Sequence, residues 1–231
     1  MAERELPVLF ESSGLGDELN EAAQQLDDIF KRLNPDEYYF LDGYETYFPE
    51  ANQIPLGFEV SVLYGNVKKL DDLSSVTNKN DKVSFLGGKS AMYAGSTSEY
   101  HDVQEILKGL YVVKAIPEEE AVGRFNHMWS VSRSASRAER LAAERLLYYY
   151  LSDKGQEVLH INNRGSLPLG RNQMEVYLGV NGEMDFLGQI IEDVKIIPAN
   201  EMEEACETLY QKLYGRKETA AGYLKETAEE R

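Results

Sequence analysis

Residues that make and break bonds are scarce in this chain. The three histidines, His101, His127 and His160, are scattered without the close spacing that gathers imidazoles on a metal. No Gly-x-Ser-x-Gly elbow, phosphate loop or His-Glu-x-x-His helix occurs. Gly87-Gly88-Lys89-Ser90 ends like a phosphate loop, but Val83 stands where that loop needs its first glycine, so the segment reads as a turn before a strand. The single cysteine, Cys206, falls in an amphipathic helical pattern and reads as a small packed residue. Alone it can form neither an intramolecular disulfide nor a Cys-based zinc site. The 40 acidic residues could supply a glycosidase-type carboxylate pair, yet nothing in the pattern singles one out. The expectation is a non-enzyme with no catalytic residue, no metal and no cofactor.

Aromatic side chains carry the stronger signal: 15 tyrosines, 8 phenylalanines and 1 tryptophan. Rings stack on the apolar faces of sugars, while carboxylates, amides and arginines serve the hydroxyls. The competing reading is that most of these rings are core. Tyr148-Tyr149-Tyr150 lies in a helical pattern and points three ways, which predicts at least one ring in the core and one at the surface.

Charge narrows the partners. With 40 acidic against 24 basic residues the formal charge is −16, which disfavours nucleic acid and anionic membrane surfaces. The acidity is spread along the chain and reads as a solubilising surface. No apolar run approaches the roughly 20 residues that span a bilayer. The first residues, Met-Ala-Glu-Arg-Glu, are too charged for a secretory signal and lack its apolar segment.

The elements that must position any site follow from periodicity. Pro7 to Phe10 reads as a short buried strand. Asp17 can cap a helix in which Leu19, Ala22, Ala23, Leu26, Ile29, Phe30 and Leu33 recur at helical spacing, stopped at Asn34-Pro35. Ile54 to Tyr64 is extended, rich in Val, Phe and Tyr. Leu70 to Lys82 is a polar connection. Ala91 to Ala94 predicts a strand, Gly95 to Ser98 a turn, and Glu99 to Lys108 a helix. Leu110 to Ile116 is a second β-rich run, ended by Pro117, and Glu118 to Glu120 is an acidic linker. After Ser134 to Ser136 a helix presents Ala138, Ala142, Leu146 and Tyr149 as its apolar stripe. Another helix runs from Ser152 to Ile161. From Glu201 onward the pattern is helical, with Met202, Ala205, Leu209 and Leu213 on one face and a break at Gly215. Alternating strands and helices predict an α/β fold with a mainly parallel sheet and more helix than strand.

A series of short motifs, in this order, resembles the carboxyl-terminal half of family 1 extracellular solute-binding proteins, the ligand-capturing subunits of ABC importers. The series is Phe85-x-x-Gly88-Lys89-x-Ala91-Met92, then Val113 to Pro117, Trp129 to Arg133, Leu151 to Gln156, and Arg164-Gly165-Ser166-Leu167-Pro168. Upstream, Ile54 to Glu59 through Leu63-Tyr64-Gly65-Asn66 is similar to the family's first hinge crossing, with Val67 in place of its lysine. Leu6 to Phe10 is similar to a strand of its amino-terminal lobe.

The resemblance implies a periplasmic-binding-protein-like fold of type II, incomplete relative to the two-lobed family, because segments before Pro7 and between Asn66 and Phe85 are short. It implies that residues 1–66 and 118–175 form a first-lobe-like α/β domain, and that 67–117 and 176–231 form a reduced second-lobe-like region. It also implies an interlobe cleft that closes on a solute, most simply a carbohydrate. Glu11, Ser12, Glu59, Ser96, Trp129 and Arg164 are expected to face that cleft. Glu11 and Glu59 would accept hydroxyl hydrogen bonds, Trp129 would stack and Arg164 would donate. The implied partners are a sugar or oligosaccharide and ABC permease subunits, in an extracytoplasmic setting, periplasmic or anchored to the cell surface as a lipoprotein. The alternative is a shortened binding-protein fold acting as a non-catalytic interaction or oligomerisation module, since absent segments would expose apolar surface and favour a homo-oligomer.

Overall fold

The computed structural model describes residues 7–13, 15, 18–162 and 166–229; Asp17, Arg164 and Gly165, all singled out by the sequence, lie outside them. The described strands are β1 (Leu9–Glu11), β2 (Ile54–Asn66), β3 (Met92–Ser96), β4 (Tyr111–Lys114), β5 (Val122–Val131), β6 (Leu167–Pro168) and β7 (Lys195–Ile196). The described α-helices are α1 (Glu18–Ala22), α2 (Asp27–Phe30), α3 (Lys82–Leu86), α4 (Tyr100–Leu107), α5 (Arg137–Leu151), α6 (Asp153–Gln156), α7 (Arg171–Val180), α8 (Leu187–Ile190), α9 (Met202–Tyr214) and α10 (Lys217–Glu229). The chain divides into two compact units, Met1–Phe58 with Phe125–Tyr177, and Glu59–Arg124 with Leu178–Arg231. It passes between them three times, within β2, within β5 and within α7. The sequence placed these passages after Asn66, Pro117 and Glu175. The first of them falls earlier in the structure, because Leu63 on β2 already belongs to the second unit's core.

In the first unit β1 pairs antiparallel with the end of β5, Leu9 opposite Val131 and Glu11 opposite Trp129. The start of β2 pairs antiparallel with β6. The apolar run from Leu19 to Leu33 does not make one helix but two short ones, α1 and α2. Between them the backbone finds tertiary partners instead: Ala23 bridges Ser132, Gln24 N–H donates to Val131 O, and Leu26 N–H donates to Ala51 O. Those bonds satisfy groups that a continuous helix would have satisfied internally.

Helix α5 starts at Ser136, whose hydroxyl accepts from Glu139 N–H while Glu139 accepts from Ser136 N–H. Its buried face is Ala143, Leu147 and Leu151, not the expected Ala138-Ala142-Leu146-Tyr149 stripe; Leu146 and Tyr149 are 41% and 45% exposed. None of Tyr148, Tyr149 and Tyr150 is fully buried, so the expected core tyrosine is absent from this triplet. The helix carries two apolar stripes at helical spacing, and packing decides between them. The following helix α6 folds back so closely that a Cβ on Gly155 would lie 2.0 Å from Tyr149 O. A π-helical turn, Glu157–Asn162, completes the helix expected over 152–161.

In the second unit the later part of β2 lies between β3 and β4 and pairs antiparallel with both, through Leu63, Tyr64 and Gly65 in each case. This corrects the mainly parallel sheet. Strands β3 and β4 are joined by α4 and run parallel to each other, as the alternation of strand and helix predicted, but β2 is inserted between them. β5 pairs in parallel with β7, Val122 opposite Lys195. β3 also extends through Gly95 and Ser96, where a turn was expected.

All thirteen residues of β2 are buried, the signature of a strand covered on both faces. Helices α9 and α10 lie against β3 and β4, joining Leu209, Tyr210, Leu213, Ala220 and Leu224 to Leu63, Met92, Ala94 and Val112 in one apolar core. Truncating one of its fully buried leucines to alanine costs about 2–5 kcal/mol. Tyr100 and Tyr111 both donate to the carboxylate of Glu183, tying α4 and β4 to the turn Gly182–Met184.

Candidate functional site

The second unit holds a recess of about 800 Å³ built where β2, β3, the start of β5 and α9 meet. Its floor is the carboxylate of Glu59, 1% exposed, on β2. Glu59 Oε2 accepts from Ser96 Oγ at 3.0 Å, and Oε1 accepts from the guanidinium of Arg124 on β5. Arg124 also donates to Ala199 O at 2.6 Å, which holds its planar head in place. A buried carboxylate without such partners would be strongly destabilising, so Arg124 and Ser96 are what offset the burial of Glu59.

The wall is a second polar group around Glu99. Its carboxylate accepts from Tyr93 Oη at 3.0 and 3.1 Å and from Ser96 N–H at 3.1 Å, and Lys82 Nζ lies 3.1 Å away. Burial, with the Glu99 charge behind it, pushes the Tyr93 phenol well above its ordinary range, so this hydroxyl stays protonated and donates. A side chain at position 95 would displace this group: a Cβ there would fall 2.1 Å from Glu99 Oε2 and 2.4 Å from the Tyr93 ring. Asn80 clasps the strand from outside, donating to Ala94 O and accepting from Ala94 N–H. Cys206 borders the recess with its thiol near Gly95 O, and burial followed by the Glu99 and Glu59 charges pushes that thiol up to about 12. It is therefore no nucleophile at neutral pH. Among the described residues no group of His, Cys, Asp and Glu could hold a metal ion.

The first unit presents a different arrangement. Ser12 is wholly buried: its hydroxyl donates to Met128 O at 3.1 Å and accepts from Gln53 Nε2 and Ser130 Oγ. Beside it Glu11 is exposed, accepts from Ser13 N–H, and lies directly across the ladder from the half-buried Trp129. The facing of Trp129 depends on a slip in β5. Buried residues alternate through Gly123 and Phe125, then resume at Met128 and Ser130, and between them His127 has φ +51°. One residue in the left-handed region shifts every later side chain to the opposite face. Trp129 thereby leaves the side that Phe125 buries. Phe125 itself sits among Phe40, Tyr47 and Phe48, so much of the aromatic wealth is core.

Of the six residues expected at a site, the structure thus brings Glu59 and Ser96 into hydrogen-bond contact in the second unit, and Glu11, Ser12 and Trp129 together in the first. Arg164 is outside the described residues. Sequence reasoning passed over Arg124, Tyr93, Lys82 and Glu99. The spacing Ser96-x-x-Glu99 is a legible helix-start signal that could have flagged Glu99. The Glu59–Arg124 pair joins residues far apart in the chain and left no local trace.

No family model matches the chain, and no curated protein does. Solved structures do. An ABC transporter solute-binding protein from Thermotoga lettingae bound with α-D-tagatose is 10% identical, with a TM-score of 0.61 over 95% of this chain and 83% of that one. The GacH receptor of Streptomyces glaucescens, described unliganded and with acarbose, is 13% identical, with a TM-score of 0.64 over 96% and 82%. The maltose-binding periplasmic protein MalE of Listeria monocytogenes, in complex with maltose, is 16% identical, with a TM-score of 0.57 over 96% and 82%. These three neighbours, solved with tagatose, acarbose and maltose, share their fold with this chain, whose fold is periplasmic-binding-protein-like.

Proposed function

We propose that this chain is a carbohydrate-binding solute receptor serving an ABC importer, which captures its ligand without chemical change and delivers it to permease subunits outside the cytoplasm. The observation that carries this reading is the recess around Glu59. An ionised carboxylate offers about four acceptor positions, and Ser96 and Arg124 use two of Glu59's. The remaining capacity suits vicinal hydroxyls, with Ser98 and Asn80 also at the rim and Tyr93 as the ring. The likeness in fold to proteins solved with tagatose, acarbose and maltose supports the same class of ligand. In the first unit, Trp129 with Glu11 is the proposed stacking and hydroxyl-accepting pair, and Ser12 acts there by holding the β1–β5 ladder.

A thermal-shift screen of mono- and oligosaccharides tests the proposal, because only a ligand that binds the folded state raises the midpoint. Glu59→Gln is expected to weaken the best hit by roughly tenfold or more, the worth of a hydrogen bond to a charged group. Trp129→Ala is expected to weaken it comparably. A folded protein whose affinity for every bound solute ignores both substitutions would sink the assignment.

A further inference from the structure

A second recess, on the first unit, has the opposite character. It measures about 630 Å³ and is lined by Gln24, Gln25, Arg133, Ala135, Arg137 and Arg140, with no carboxylate among them. In a chain with 40 acidic and 24 basic residues, guanidinium groups are expected to be neutralised by neighbours. Of the three arginines here, only Arg140 has an acidic partner. Glu139 is bound to the start of α5 through Ser136, and Glu144 holds Arg140 at 2.6 Å. Among the described residues no ion pair engages Arg133 or Arg137, and both are exposed.

The recess is also fixed in shape. Gln24 Nε2 donates to Ser132 O at 2.7 Å and to Ala135 O at 3.4 Å, Arg133 N–H donates to Ala22 O at 2.8 Å, and Arg140 donates to Gln25 O at 3.3 Å. The turn from β5 into α5 that carries Arg133 and Arg137 is therefore held against the segment after α1. Two guanidinium groups without an ion pair, with Arg140 beside them, match a ligand bearing more than one oxyanionic group, which Arg grips through paired N–H donors. A neutral sugar carries no charge to balance theirs.

We propose that this recess binds a small ligand bearing two or more oxyanionic groups, phosphate or carboxylate, at a site separate from that of the neutral solute. The proposal stands independently of the carbohydrate reading. Calorimetric titration of the full chain with inorganic pyrophosphate, and separately with citrate, tests it at constant ionic strength. Saturable one-to-one binding of either probe below millimolar concentration is expected, and the probe that binds tells phosphate from carboxylate. Arg133→Ala and Arg137→Ala should each weaken it by roughly tenfold, whereas Arg145→Ala, on the same helix but outside the recess, should not. Circular dichroism confirms that the variants fold. Absence of saturable binding by both probes, or binding that survives both recess substitutions, overturns the proposal.

Discussion

His160 shows how a single side chain ties stability to pH. It is buried in the π-helical turn with Nε2 on Leu56 O at 2.7 Å, so that tautomer carries its proton on Nε2, while Nδ1 faces Ser166 Oγ. Burial, with a smaller contribution from His127, lowers its pKa to about 4, against the bonds to Leu56 and Ser166 that favour the charged form. A depressed histidine pKa means that the unfolded chain takes up a proton before the folded one. Its contribution is fully present above pH 6.5 and is lost as pH falls toward 4, about 3 kcal/mol in all. His160→Gln, which keeps a donor for Leu56 O, is expected to show a flatter melting midpoint between pH 7 and pH 4 than the parent; superimposable profiles would refute the assignment. His127 makes a second residue-scale case. Its left-handed backbone costs free energy that glycine would avoid, and that conformation is what turns Trp129 to the other face of β5. Motif order singled out Glu59, Ser96 and Trp129 as candidates, but neither the Arg124 pairing nor the slip at His127 has a local signature.

Among the elements, the close approach of α6 to α5 is the most exacting. A methyl group on Gly155 would meet backbone atoms of Tyr149 and Tyr150 at 2.0 to 2.8 Å, and backbone cannot rotate away as a side chain can. Gly155→Ala is expected to destabilise the first unit by about 3 kcal/mol, read as a lowered urea midpoint with an unchanged slope. Strands β2, β3 and β4 and helices α4, α9 and α10 were legible from the composition and spacing of their own residues. Two things were not: where the Leu19–Leu33 pattern breaks, and which stripe of α5 faces inward. The first is decided by residues distant from the pattern itself, Ser132 and Ala51, and the second by the packing that buries Ala143, Leu147 and Leu151.

At the scale of the whole molecule the fold class was readable, and the sheet's direction was not. Alternation of strand and helix correctly implied that β3 and β4 run the same way, but no periodicity announces that an earlier strand will occupy the place between them. The formal charge of −16 and a sequence pI near 4.7 predict a solubility minimum in that pH region, and it overlaps the range in which His160 withdraws its support. Light scattering across pH 4 to 7 should therefore show aggregation on the acid side, reduced in His160→Gln.

The three passages of the chain between the units have a consequence for how the molecule is made. Neither unit is a continuous stretch: the first is complete once Tyr177 has been synthesised, whereas the second waits for α9 and α10. As the chain leaves the ribosome, one unit can assemble while β2, β3 and β4 of the other still lack Leu209, Tyr210, Leu213 and Leu224. Chain order alone thus lets one half be finished while the apolar strands of the other still lack their cover.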